Sequence, residues 1–158
     1  MNAKMSELKR CFDVAGFSDV RTLLSSGNVA FTARVSSVTT LQRRVEEAMQ
    51  GELGRSFGTF VRPASQLQDL IESDPYAKFG LPPEAKRVVT FLQTPSETTV
   101  QLPIEQAGAT ILTATATEVL SAYVPSADGP IFMRLLERTF GMSITTRTLD
   151  TVRKCAWA

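Results

Sequence analysis

The chain has no histidine at any of its 158 positions. That absence excludes Ser-His-Asp and Cys-His nucleophiles, histidine-ligated zinc, and the side chain that ordinarily shuttles protons near neutral pH. Cysteine is nearly as scarce. Cys11 and Cys155 are too few to build a thiolate zinc site, so no metal is expected, and without an export signal they are expected as thiols rather than a disulfide framework. No apolar run approaches the roughly 20 residues of a membrane span, and the polar opening MNAKMSELKR is no signal segment; a cytoplasmic protein is expected. A bias of charge is also missing. With 17 Lys and Arg against 16 Asp and Glu, no overall field gathers nucleic acid or anionic membrane. The pairs Arg43-Arg44, Lys86-Arg87 and Arg153-Lys154 read as solvated surface. Neither the Gly-x-Gly-x-x-Gly fingerprint nor a Gly-x4-Gly-Lys-Ser/Thr loop occurs, so no nucleotide cofactor is expected.

What is present suits an unassisted globular core, with 43% hydrophobic and 21% charged residues. Met5, Leu8, Phe12 and Ala15 recur on one side of a helix that Gly16 closes. DVRTLL and NVAFT flank the polar Ser25-Ser26-Gly27-Asn28 and read as a hairpin with a short loop. Val38, Leu41, Val45, Ala48 and Met49 mark a second helix. TFVRP follows as a short strand over 59–62. The second half predicts a helix at SQLQDLIES, a strand at RVVTFLQ, and a helix within PSETTVQLPIEQAGA broken by Pro103. Strands follow over 110–114 and 118–124, then a helix with Pro130 at its start and Gly141 at its end, and a last helix, TLDTVRKCAW, after the Thr-rich SITTR.

The order of elements suggests a topological repeat. The second half runs strand, helix, strand, strand, helix, and the first is the same cycle without its opening strand. The economical reading is α+β: two related ferredoxin-like split βαββαβ units with antiparallel-rich sheets, over 1–63 and 64–158.

Three groups of residues could carry chemistry. Ser6 and Lys9 stand at the Ser-x-x-Lys spacing of a hydroxyl activated by an amine, but a serine opening a helix and a lysine on its wet side explain them as well. Glu46-Glu47 and Glu72 with Asp74 are carboxylate pairs; neighbours on a helix do not share a face, so solvated charge is the better account. The third is TTRTLDTVRK, where Thr145, Thr146 and Arg147 are expected at a helix start. Free backbone N–H groups and a guanidinium there suit a phosphate, sulfate or carboxylate, and a threonine N-cap explains the same residues.

FSDVRTLLSSGNVAF near the start, VTFL, and YVPSADGPIFMRLLERTFGMSITTRTLDTVRK near the end, in that order, resemble the uncharacterised bacterial family catalogued as domain of unknown function 1697. The resemblance implies two related α+β units and brings no activity or catalytic residue. If the family's two polar motifs lie close together, Arg21, Ser26, Asn28, Thr146 and Arg147 would line one cleft.

Two functions are compatible with these residues. One is a small binding or interaction module for an anionic small molecule or a partner chain; the other is an enzyme acting on a phosphorylated or nucleotide-like substrate through Arg147 and hydroxyls. The resemblance also implies an opening apolar strand and a glycine-rich turn that this sequence does not show. A gap in the middle of the first sheet would follow, closed by a strand of the second unit, by a homodimer through strand donation, or by residues upstream of Met1.

Overall fold

Leu8, Cys11 and Phe12 sit three and four residues apart, so helix α1 (Met5–Val14) buries them on one side. Gly16 then turns the chain at φ +91, a conformation that resists any side chain. Arg44 donates to the Ala15 carbonyl and lies 4.5 Å over the Phe17 ring, so one guanidinium both ends α1 and covers the core. The expected hairpin follows as β1 (Ser18–Leu23) and β2 (Asn28–Thr32), antiparallel with Arg21 opposite Ala30. Helix α2 (Val38–Leu53) starts at Ser37, whose hydroxyl accepts from the Thr40 N–H at 3.1 Å. Val29 and Phe31 point to α1 and α2, where the rings of Phe12, Phe17 and Phe31 meet at tilted angles with centroids 4.6–6.0 Å apart.

The computed structural model describes residues 3–96, 100–125 and 131–158. These divide into one unit of Met1–Gln68 with Arg153–Ala158 and another of Asp69–Val152. The fold is α+β with antiparallel sheets: β1 and β2 form one, and five strands in the order β4-β5-β6-β3-β7 form the other. Among the described residues no strand of the second sheet therefore joins the first.

Helix α3 (Ala64–Glu72) and a 3-10 turn (Ala77–Phe79) lead to β3 (Lys86–Leu92). The helix expected within PSETTVQLPIEQAGA is replaced, where that stretch is described, by β4 (Ile104–Gln106); residues 97–99 lie outside the described residues. Pro103 cannot extend a helix, and Ile104 pairs instead with Ile111 of β5 (Ala109–Ala114). Ala107 and Gly108, at φ 50 and 85, make the two-residue turn that matches strand twist. β6 (Glu118–Tyr123) precedes helix α4 (Ile131–Phe140); the expected Pro130 start lies outside the described residues. SITTR, read as the approach to a helix, is strand β7 (Ile144–Thr148), and α5 (Leu149–Ala156) begins after it.

β3 lies between β6 and β7, and opposed residues share a face. Thr90 and Leu92, Val119 and Ser121, and Ile144 and Thr146 share one face. Leu92, Val119 and Ile144 pack there with Leu135 and Leu136 of α4. Val89, Phe91, Leu120 and Ala122 are buried on the other.

The strand expected over 59–62 is not one. It has no ladder partner among the described residues, and its amides bond to side chains of α2: Val61 N–H to Gln42 Oε1 at 3.0 Å, Thr59 N–H to Glu46 Oε1 at 3.1 Å. Gln42 is buried, so Gln42→Ala strips a buried N–H of its acceptor. We expect a loss of about 1–3 kcal/mol in urea unfolding, and an unchanged midpoint would show that the bond contributes nothing.

Candidate functional site

The polar residues of the first hairpin are drawn together by its turn. Leu24 and Gly27 take positive φ (59 and 89), and Asn28, at the start of β2, folds back across the loop. Its Nδ2 donates to the Leu23 carbonyl at 3.2 Å and to Ser26 Oγ at 3.0 Å, so both residues serve the turn expected of them. Ala30 lies opposite Arg21 and Asn28 opposite Leu23, which puts Arg21 and Asn28 on one face, away from Val29 and Phe31. Arg21 is exposed there and donates through Nη2 to the Ala158 carbonyl at 3.1 Å.

Thr146 and Arg147 are consecutive in β7, so their side chains leave opposite faces of the sheet. Thr146 Oγ1 faces α4, with Met133 Sδ at 4.0 Å. Arg147, half-buried, stands opposite Val89 on the other face, and its Nη1 donates to Thr145 Oγ1 and to the Thr146 carbonyl, both at 2.8 Å. The helix start expected at these residues falls later: the Thr148 hydroxyl accepts from the Thr151 N–H at 3.3 Å and caps α5. A run of β-branched residues, Ile144-Thr145-Thr146, was the signal for a strand.

Two side chains have displaced proton affinities. Burial pushes the Tyr76 phenol well up, with the backbone of Ser121 and the charge of Arg87 pulling weakly the other way; its hydroxyl donates to the Val88 carbonyl at 2.6 Å. Burial also raises the Cys11 thiol, helped by the charge of Glu52. Both groups are therefore held in their protonated, less nucleophilic forms. Glu118 is buried at the head of β6, where its side-chain oxygen accepts from the Thr115 and Thr117 hydroxyls within its own turn. Among the described residues no three His, Cys, Asp or Glu side chains gather as a metal site, and no helix is long and apolar enough to cross a membrane.

These features define an α+β protein with antiparallel sheets. The chain belongs to the family described as Protein of unknown function (DUF1697), matched over residues 1–119. Thr146 and Arg147 lie beyond the matched stretch. The fold is similar to that of the conserved bacterial protein SP0830 from Streptococcus pneumoniae, with a TM-score of 0.70 and 17% identity, covering 99% of this chain and 88% of that one. No curated protein matches the chain.

The thiols differ in a way a reagent can read. Cys11 is fully buried with its proton held more tightly, whereas Cys155 is half-buried. At pH 8 a disulfide reagent is expected to titrate Cys155 first and Cys11 only on unfolding. Equal rates at both, read by mass spectrometry, would contradict the burial of Cys11.

Proposed function

We propose that the protein is a binding module that holds an anionic small molecule, of carboxylate or phosphate class, against Arg147. The carrying observation is a half-buried guanidinium, oriented by the Thr145 hydroxyl, on a sheet face shared with the apolar Val89, Phe91, Leu120 and Ala122 and, further along the strands, with Arg87 and Glu118. A guanidinium is always charged, presents a planar fork to two oxygens, and interacts more strongly where apolar neighbours thin the water. The protonated state of Cys11 and Tyr76 favours binding over nucleophilic chemistry. In a thermal-shift screen with inorganic phosphate, nucleotides, sugar phosphates and carboxylates, one class raises Tm; saturation at 100 times Kd is worth about 2.7 kcal/mol. Arg147→Ala abolishes the shift, Arg147→Lys keeps part of it, and Arg21→Ala leaves it intact. A shift that survives Arg147→Ala, or no shift with any class, rejects the reading.

The two units are proposed to be related copies of a ferredoxin-like motif. In support, β5, β6, α4 and β7 follow one another as β1, β2, α2 and the 59–62 segment do. In that correspondence β3 has no counterpart among the described residues of the first unit, and the matching position falls along the edge of β2 not paired with β1. β2 reads Asn-Val-Ala-Phe-Thr, without the charge or proline that guards an edge strand. A second copy pairing along the same edge would close it as a homodimer. Light scattering is expected to give a dimer that Ala30→Lys, on the face away from the helices, converts to monomer. A monomeric parent protein rejects strand donation.

A further inference from the structure

We infer that Thr90 and Ser121 hold an internal water molecule beneath α4. Both residues are fully buried, and neither hydroxyl oxygen has a hydrogen-bond partner among the described residues. They sit on adjacent strands at the middle of the sheet, with Thr90 opposite Val119 and Ser121 opposite Val88, and so share the face covered by α4 as diagonal neighbours. Residues so placed are about 7–8 Å apart. That backbone separation keeps the hydroxyls from bonding each other directly, and side chains leaning toward one another across it bring the two oxygens to the roughly 5.5 Å that two bonds of about 2.7–2.8 Å in series through a single oxygen span.

The surroundings select the ligand. Leu92, Ala109, Ile111, Val119, Leu135 and Leu136 line the same core, so a charged solute has nothing there to neutralise it. A neutral molecule that both donates and accepts, with the size of water, is what two hydroxyls in an aliphatic wall can satisfy. Thr146 bounds the site on the far side of β3. It lies directly opposite Thr90 on the β7 side, and its hydroxyl reaches only the weak sulfur acceptor of Met133 at 4.0 Å. Thr146 is two strands from Ser121, out of reach of a water bonded to Ser121, so Thr90 and Ser121 are the anchors of the site. Valine or alanine would fill the same space if the face were meant to be dry.

The test uses near-isosteric changes that leave the packing in place: Thr90→Val, Ser121→Ala and the pair together. If the water is present, each single change leaves it short of a partner and lowers Tm by about 2–4 °C, and the double variant loses little more than one single. A high-resolution crystal structure then shows one ordered oxygen within 3.0 Å of both Oγ atoms. An unchanged or raised Tm for Thr90→Val overturns the inference, because it means the hydroxyl was unpartnered and better removed. Fully additive losses, or density that is empty between the two side chains, overturn it as well.

Discussion

The second unit depends on β3 being bonded along both edges and buried on both faces. Such a strand has no slack: shifting its register by one residue against β6 or β7 would exchange every side chain between the two faces. Val89 and Thr90, adjacent and both fully buried, show that the two faces are equally closed. The alternation of β3 is then imposed on its neighbours, residue by residue, through the pairs Val89 with Leu120 and Arg147, and Thr90 with Val119 and Thr146. The separation of Thr146 from Arg147 is a consequence of this pairing rather than a local preference. Tyr76 adds to the same lock from outside the ladder, its hydroxyl bonded to the Val88 carbonyl.

The first unit meets the same requirement differently. Its sheet has two strands, and its apolar face is closed by α1, α2 and a cluster of three phenylalanines. The 59–62 segment is extended in sequence character yet draws its bonds from helix side chains. A glutamine carbonyl oxygen and a glutamate oxygen stand in for ladder carbonyls, which is why Gln42 and Glu46 occur on the side of α2 that faces this segment. Glu46, read as solvated charge beside Glu47, acquires a structural acceptor role that spacing alone does not disclose.

The elements legible in the sequence were those with strong periodicity or punctuation. α1, α2, the first hairpin, β3, β5 and β6 all carry an apolar stripe or a β-branched run bounded by glycine or polar residues, and tertiary packing agrees with both signals. β4 and β7 were missed for different reasons. β7 pairs with β3 far back in the chain, Arg147 with Val89, so no local pattern announces its ladder. β4 is a three-residue run paired with β5 across a two-residue turn, too short to carry an alternation of its own. The strand expected over 59–62 erred in the opposite sense, since β-branched composition does not supply a neighbour to pair with. At the candidate site, the turn role of Ser26 and Asn28 was readable because both polar side chains bond within five residues. The environment of Arg147 was not, because it is set by which face of β7 the register assigns to it.

That dependence on register has a chemical consequence. A threonine-rich strand can present hydroxyls to an apolar core or to a charged neighbour, and in β7 it does both: Thr146 looks toward α4, while Thr145 orients the Arg147 guanidinium on the opposite face. Hydroxyls tolerate either environment since they can donate to sulfur, accept from guanidinium, or bond water. An arginine cannot be moved so freely, because its charge must stay where partners can reach it. The position of Arg147 opposite Val89 is therefore the stricter constraint of the two, and the threonines around it are the residues that adapt.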